Sequence, residues 1–344
     1  PYVDYGVTNF LVYDTGSTDN TVGLIVEYFQ STSVLFRIED IPDYMVEKSF
    51  DYAKNRNYAL ECVKQCFGNL TFVLFVDAEW YPVNLNILDK FCQDYKDKKH
   101  DAYVTIVMDG SKTVVHNRLI RINGKGHFEG KIHEFLKMSN PNTEIVDGFV
   151  LDYKPSNKGK QKTQKRIFTD MIYFLENYHE TNNPRDCFYL AQSYQSLGST
   201  DDLNNAIKYY SIRFDLKSND LEETYCAAYQ CGVCYEKLED WSNAMKWYLN
   251  AYDFRPSRIE TLILISNHYT NNLNLMYMFI KQACEVKLPH DRTSLDLEIY
   301  QVTRWEILAK ACYGLKKYRE GYDAINIAVK NEPSKSSLTT NKLL

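Results

Sequence analysis

The feature that most constrains this chain is a change of hydrophobic period near residue 153. Before it, short apolar and β-branched runs alternate with helical segments; after it, strand signals nearly vanish and apolar residues recur at helical spacing. Strands are expected at Asn9–Asp14, Val34–Ile38, Phe72–Asp77, Ala102–Met108 and Thr113–Ile122, with helices near 21–30, 52–66 and 84–95. That order predicts an α/β sheet followed by an all-α half. With 344 residues the chain is long enough for two domains. The expected organisation is an α/β domain over 1–153, a basic linker over 154–166 (KPSNKGKQKTQKR), helical repeats over 167–335 and a polar tail over 336–344.

The second half carries a repeat grammar. Tetratricopeptide repeats place small residues where two antiparallel helices cross and aromatics beside them, over ~34 residues. Gly232, Tyr235, Ala244, Tyr248, Ala251 and Pro256 fit those offsets. Ala309, Tyr318, Gly321, Ala328 and Pro333 repeat much of the scheme, and Ala191, Tyr194, Ala206 and Tyr210 form an earlier copy; 258–290 is a degraded one. Such stacks present a concave surface to a peptide or protein.

A formal charge of −5 gives no reason to expect a nucleic-acid partner. No apolar stretch approaches ~18 residues and no leader pattern opens the chain, so a cytoplasmic location is expected. Nine cysteines, an odd number scattered over helical segments, fit reduced thiols. Cys231 and Cys234 form a C-x-x-C without a second ligand pair, so they read as packing residues of one helix.

Four stretches of the first half carry chemistry. In LVYDTGSTDNT, Asp14 ends a strand, Gly16 permits a turn, and Ser17, Thr18, Asp19 and Asn20 are N-cap candidates. Asp14 is placed either to grip a nucleoside beyond a strand end or to cap a turn. In TFVLFVDAEW an apolar run ends in Asp77 and Glu79, hard oxygen ligands suited to Mg²⁺ or Mn²⁺, or merely solvated acids. In FDYAKNRNYAL the cations Lys54 and Arg56, with Asn57, open a helix, which hints at an anionic partner. In HFEGKIHEF, His133 has metal-ligand chemistry and Glu134 that of a general base, although both also suit polar positions of a loop.

Together YDTGSTDNT, FDYAKNRNYAL, LFVDAE and RLIRINGKGHFEGKIHEFL resemble family-2 glycosyltransferases, specifically the branch with C-terminal tetratricopeptide repeats. The resemblance implies a GT-A-like nucleotide-sugar domain, a mixed sheet flanked by helices, followed by an all-α repeat domain. It further implies transfer of a sugar from a nucleoside-diphosphate donor, a UDP-sugar for preference, to a protein, peptide or glycan acceptor, with inversion and Mn²⁺ or Mg²⁺ as cofactor. Carried over, Asp14, Gly16, Ser17, Arg56, Asn57 and Asp77 would bind nucleotide, Asp77, Glu79 and His133 the metal, and Glu134 would serve as base. Glu79 stands where the family carries aspartate, and the family's opening strand does not precede Pro1, which favours a truncated start. The rival expectation is a vestigial nucleotide-binding domain on a protein-binding repeat scaffold.

Overall fold

The computed structural model describes residues 1–45, 50–139, 144–217, 220–289, 291 and 295–333. The chain divides into two compact units, residues 1–110 with 114–155, and residues 111–113 with 156–344.

In the first unit, β1 (Asn9–Asp14) pairs in parallel with β2 (Leu35–Asp40) across α1 (Thr21–Gln30). After α2 (Tyr52–Phe67) come β3 (Phe72–Leu74), β4 (Trp80–Val83), α3 (Asn86–Tyr95), β5 (Ala102–Asp109) and β6 (Lys112–Arg121), then β7 (His127–Glu129), β8 (Phe135–Lys137) and β9 (Ile145–Tyr153). The main sheet runs β6-β5-β9-β4, with β3 antiparallel on β6 and β5 parallel to β9.

Strand alternation sorts its side chains to two faces. Tyr103 and Leu119 join Trp80, Leu88 and Phe149 on one side, where α3 packs. Their neighbours Ala102 and Ile120 join Ala53 and Leu60 of α2 on the other.

This arrangement corrects the expected GT-A-like sheet. Among the described residues the strands fall into three separate sheets: β1 with β2, the main sheet, and the hairpin β7–β8. The apolar run expected to extend from Phe72 to Asp77 is a strand only over Phe72–Leu74. Its end is a turn, closed by Trp80 N–H donating to the Asp77 carbonyl at 3.0 Å, after which β4 runs antiparallel to β9. Asp77 and Glu79 therefore lie in the β3–β4 turn.

The second unit is helical. It comprises α4 (Asn157–Thr181), α5 (Pro184–Leu197), α6 (Thr200–Asp215), α7 (Leu221–Lys237), α8 (Trp241–Phe254), α9 (Glu260–His268), α10 (Leu273–Glu285), α11 (Arg304–Gly314) and α12 (Tyr318–Asn331). The stretch expected as a linker is largely the start of α4, begun where the Ser156 hydroxyl accepts from Gly159 N–H at 3.0 Å. The polar tail expected over 336–344 lies outside the described residues. A short strand β10 (Leu295–Asp296) pairs with Lys112 and Thr113, which cluster with this unit.

The helix starts follow the sequence. Asn183, Asp220, Asp240 and Asn272 each accept a backbone N–H of the first turn of α5, α7, α8 and α10. Ser199 and Asp202 form a reciprocal capping box on α6. Each helix packs on its sequence neighbours, and α5 also meets α7 while α9 meets α11. The first helices of successive hairpins thus share one layer, the arrangement of a helical-repeat array.

The repeat residues do what their size predicts. A Cβ on Gly232 would come within 2.5 Å of the Tyr248 ring and 3.3 Å of the Ala244 carbonyl. Gly232→Ala should therefore lose about 1–3 kcal/mol by overpacking α7 against α8. Urea unfolding checks this, and an unchanged midpoint would show slack at that crossing. The segment expected as a degraded copy is a real hairpin, α9–α10, whose short first helix starts beside a buried Arg258–Glu260 pair at 2.7 Å.

Candidate functional site

The residues singled out in the first half fall into two groups. Asp14 and its turn form the first. The Asp14 carboxylate accepts from Gly16 N–H at 3.2 Å, Ser17 N–H at 2.9 Å and the Ser17 hydroxyl at 2.5 Å. These bonds hold its pKa below the usual carboxylate value against the opposing effect of partial burial. Gly16 takes φ 99°, which a Cβ would strain.

The second group gathers on α2. Asp51 caps this helix by accepting Lys54 N–H at 2.9 Å, and the three residues after Lys54 each reach a different element. Asn55 Oδ1 accepts from the Tyr13 hydroxyl at 2.7 Å. Asn57 clamps β7, donating to the Phe128 carbonyl at 2.8 Å and accepting Phe128 N–H at 2.7 Å. Arg56 lies between them, its Nη2 2.9 Å from Asp77 and its Nε 2.5 Å from Glu134. The side chains of Arg56 and Glu134 are 13% and 10% exposed, whereas Asp77 is 43% exposed and opens the cluster to water.

Burial works against the Arg56 charge, but Asp77 and Glu134 override it and raise the pKa. Nearby Arg118, missed in the sequence, is buried on β6 with Nη2 3.7 Å from Glu134 and its guanidinium 4.8 Å from the Trp80 ring. Burial and the Arg56 charge bring its pKa down to about 10. Burial, with Arg118 adding to it, lowers His116 to about 3, so this imidazole is neutral throughout the physiological range. Only its place amid the apolar alternation of β6 marked Arg118.

Two guanidinium groups thus face two carboxylates, a balanced ion cluster that fastens α2, the β3–β4 turn and the loop before β8. That loop carries His133 at φ 53°, a left-handed conformation uncommon for histidine. Glu79 engages the chain through its carbonyl, which accepts Lys154 N–H at 2.9 Å. Among the described residues, no three or more His, Cys, Asp or Glu side chains come together as metal ligands would. Cys231 and Cys234 are buried in α7, and burial raises both thiols, Cys234 to about 12.

The repeat array offers a different kind of site. Its first helices are joined by polar side chains: Gln195 donates to Gln230 at 2.7 Å between α5 and α7, and the Tyr225 hydroxyl to Glu260 at 3.1 Å between α7 and α9. Beneath the layer, Arg213 is fully buried with Nε 2.6 Å from Glu223, and Arg185 Nη1 approaches the same carboxylate at 3.6 Å. Arg185 also stacks over Tyr189 at 4.9 Å. On α5, Gln192 and Ser196 are exposed and Arg185 and Tyr189 half-buried, and these four recur at spacings of four, three and four. On α7, Tyr229, Gln230 and Val233 are half-buried, and on α9 Asn267 is exposed. Sequence reasoning named the repeat without naming this stripe, although its helical spacing on the first helices was the signal.

No protein-family model and no curated protein matches the chain. Solved structures similar to part of it are repeat proteins. The crystal structure of MamA covers 53% of this chain and 98% of its own at 13% identity and TM-score 0.39. The C-terminal part of a TPR repeat-containing protein from Cytophaga hutchinsonii covers 53% of this chain and 68% of its own, at 16% and 0.39. The APC/C hetero-tetramer Cut9-Hcn1 covers 52% and 32%, at 16% and 0.36. At these scores the likeness transfers no function.

The expectation of a GT-A, family-2 glycosyltransferase acting with UDP-sugar and manganese does not hold against these findings. Among the described residues, the strands that would form the donor-binding sheet are divided among three sheets. The helical-repeat part of the expectation is what the fold retains. No helix among the described residues is long and apolar enough to cross a membrane.

Proposed function

We propose that the chain is an interaction scaffold whose repeat array binds an extended segment of a partner protein along the layer formed by α5, α7, α9 and α11. The supporting observation is this stripe: side-chain hydrogen bonds fix neighbouring first helices, while Gln192 and Asn267 are exposed and Tyr189, Tyr229 and Gln230 half-buried along them. Amide side chains there can donate to and accept from a peptide backbone, and the tyrosines supply contact area at low entropic cost.

Site-specific photocrosslinking tests this. Photoreactive phenylalanine analogues at Gln192 and Asn267 should capture the same partner polypeptide. Analogues at Asn204 and Lys246, exposed positions on the second helices α6 and α8, should not. Equal capture from both layers, or capture from the second helices alone, would overturn the proposal.

A further inference from the structure

The hairpin α11–α12 carries another surface, built from the stretch YGLKKYREGY. Tyr313 near the end of α11, Tyr318 at the start of α12 and Tyr322 one turn later are 61%, 59% and 54% exposed. The Tyr313 and Tyr318 rings lie edge to face at 6.0 Å. Three large amphipathic rings left open at one end of an array are more than the scattered apolar exposure of an ordinary surface. Around them stand the exposed cations Lys316, Lys317 and Arg319, which line a shallow depression with Tyr318, Glu320 and Asp323.

The charges there are not balanced. Glu320 is drawn towards α10, where Lys281 Nζ reaches it at 2.6 Å and the Tyr277 hydroxyl at 2.9 Å. The bond from Lys281 holds the Glu320 pKa down, so its charge is already partnered. Asp323 lies 4.0 Å from Arg319 in an exposed surface pair, which contributes little. No described carboxylate pairs with Lys316 or Lys317; Lys317 instead sits 4.3 Å over the Tyr277 ring. The result is a cationic, tyrosine-faced patch on a chain whose overall charge is −5.

We infer that this patch docks a short acidic peptide segment of a partner protein, with carboxylates on Lys316, Lys317 and Arg319 and apolar side chains over the tyrosine rings. Charge complementarity selects the sign, and exposed tyrosine beside arginine is the composition of protein interfaces. A continuous phosphate backbone, with a charge on every unit rather than on alternate residues, suits the patch less well, because Asp323 lies within it. This inference rests on the scaffold reading but concerns a surface other than the stripe on the first helices.

The test is fluorescence anisotropy on the full chain with a labelled peptide alternating Glu and Leu, beside its Lys/Leu counterpart and an oligothymidine. The acidic peptide should bind, and more weakly as salt rises. The K316E/R319E double variant should weaken binding by roughly tenfold or more, as should Y318A/Y322A. Unchanged circular dichroism shows that the variants keep their fold, which is expected at exposed positions. No binding of the acidic peptide, equal binding by K316E/R319E, or tighter binding of the oligonucleotide would each overturn the inference. Binding that survives K316E/R319E but is lost on blocking Gln192 would leave the scaffold reading standing and remove this surface alone.

Discussion

Replacing Arg213 with methionine should cost about 3–5 kcal/mol of unfolding free energy at neutral pH, because it leaves the buried Glu223 carboxylate with Arg185, 3.6 Å away, as its remaining cation. Arg213 is wholly buried, 2.6 Å from Glu223, and its Nη1 donates to the Thr224 hydroxyl at 2.9 Å. Methionine fills much of the same volume, so the loss is electrostatic rather than a cavity. It falls between α6 and α7, directly beneath the proposed binding layer.

The pH dependence of that loss is the sharper test. Burial raises the Glu223 pKa even with Arg213 beside it. A carboxyl group with a folded pKa above its unfolded value, about 4.3 for glutamate, destabilises the fold as pH rises through that interval. Without Arg213 the folded pKa rises further and the interval widens upward. Arg213→Met should therefore lie nearest the parent protein near pH ~4.5 and fall furthest below it at about pH 8. Adding Glu223→Gln should recover part of the loss and flatten the pH profile. Denaturant titrations at several pH values decide this, and a penalty independent of pH would show that no stranded charge is its source.

How much of this molecule could be read from the chain depends on which force places each residue. Asn9–Asp14 and Tyr52–Phe67 were legible because local periodicity defines them, and they appear with boundaries within a residue of those expected. β4 and β9 were not, since Pro82 and Gly148 interrupt their patterns and their partners are remote in sequence. Strand pairing is a tertiary choice that alternation does not encode, so an ordered list of strands suggested one sheet where three form. The repeats were legible because crossing helices demand small residues at fixed offsets, as Gly232 against Tyr248 shows. The α9–α10 copy was obscured because a polar cluster replaces that apolar grammar: Arg258 pairs with Glu260, and both Arg255 and Arg258 with Asp291. Arg56, Asp77 and Glu134 were singled out for nucleotide, metal and base roles, and the structure places them within one ion cluster. Their spacing could not tell a ligand's partners from one another's.

Arg56 gives the second large effect. Its guanidinium donates to Glu134 through Nε and to both Asp77 oxygens through Nη2, at 2.9 and 3.2 Å. Arg56→Met leaves the largely buried Glu134 with Arg118 at 3.7 Å as its nearest cation and frees the β3–β4 turn. A loss of about 2–4 kcal/mol is expected, below that at Arg213 because Asp77 is partly solvated. Arg56→Lys should fall between, since an ammonium keeps the charge but cannot span two carboxylates with a rigid fork. Hydrogen exchange read by mass spectrometry localises the effect. Amides of α2 and of the β7–β8 hairpin should exchange faster in Arg56→Met, with α5–α8 as the comparison within the same chain. Unchanged protection in α2 would mean that the ion cluster is not what fastens it. Faster exchange confined to α2, the β3–β4 turn and the loop before β8 would identify the most conspicuous charged motif of the first half as a strut.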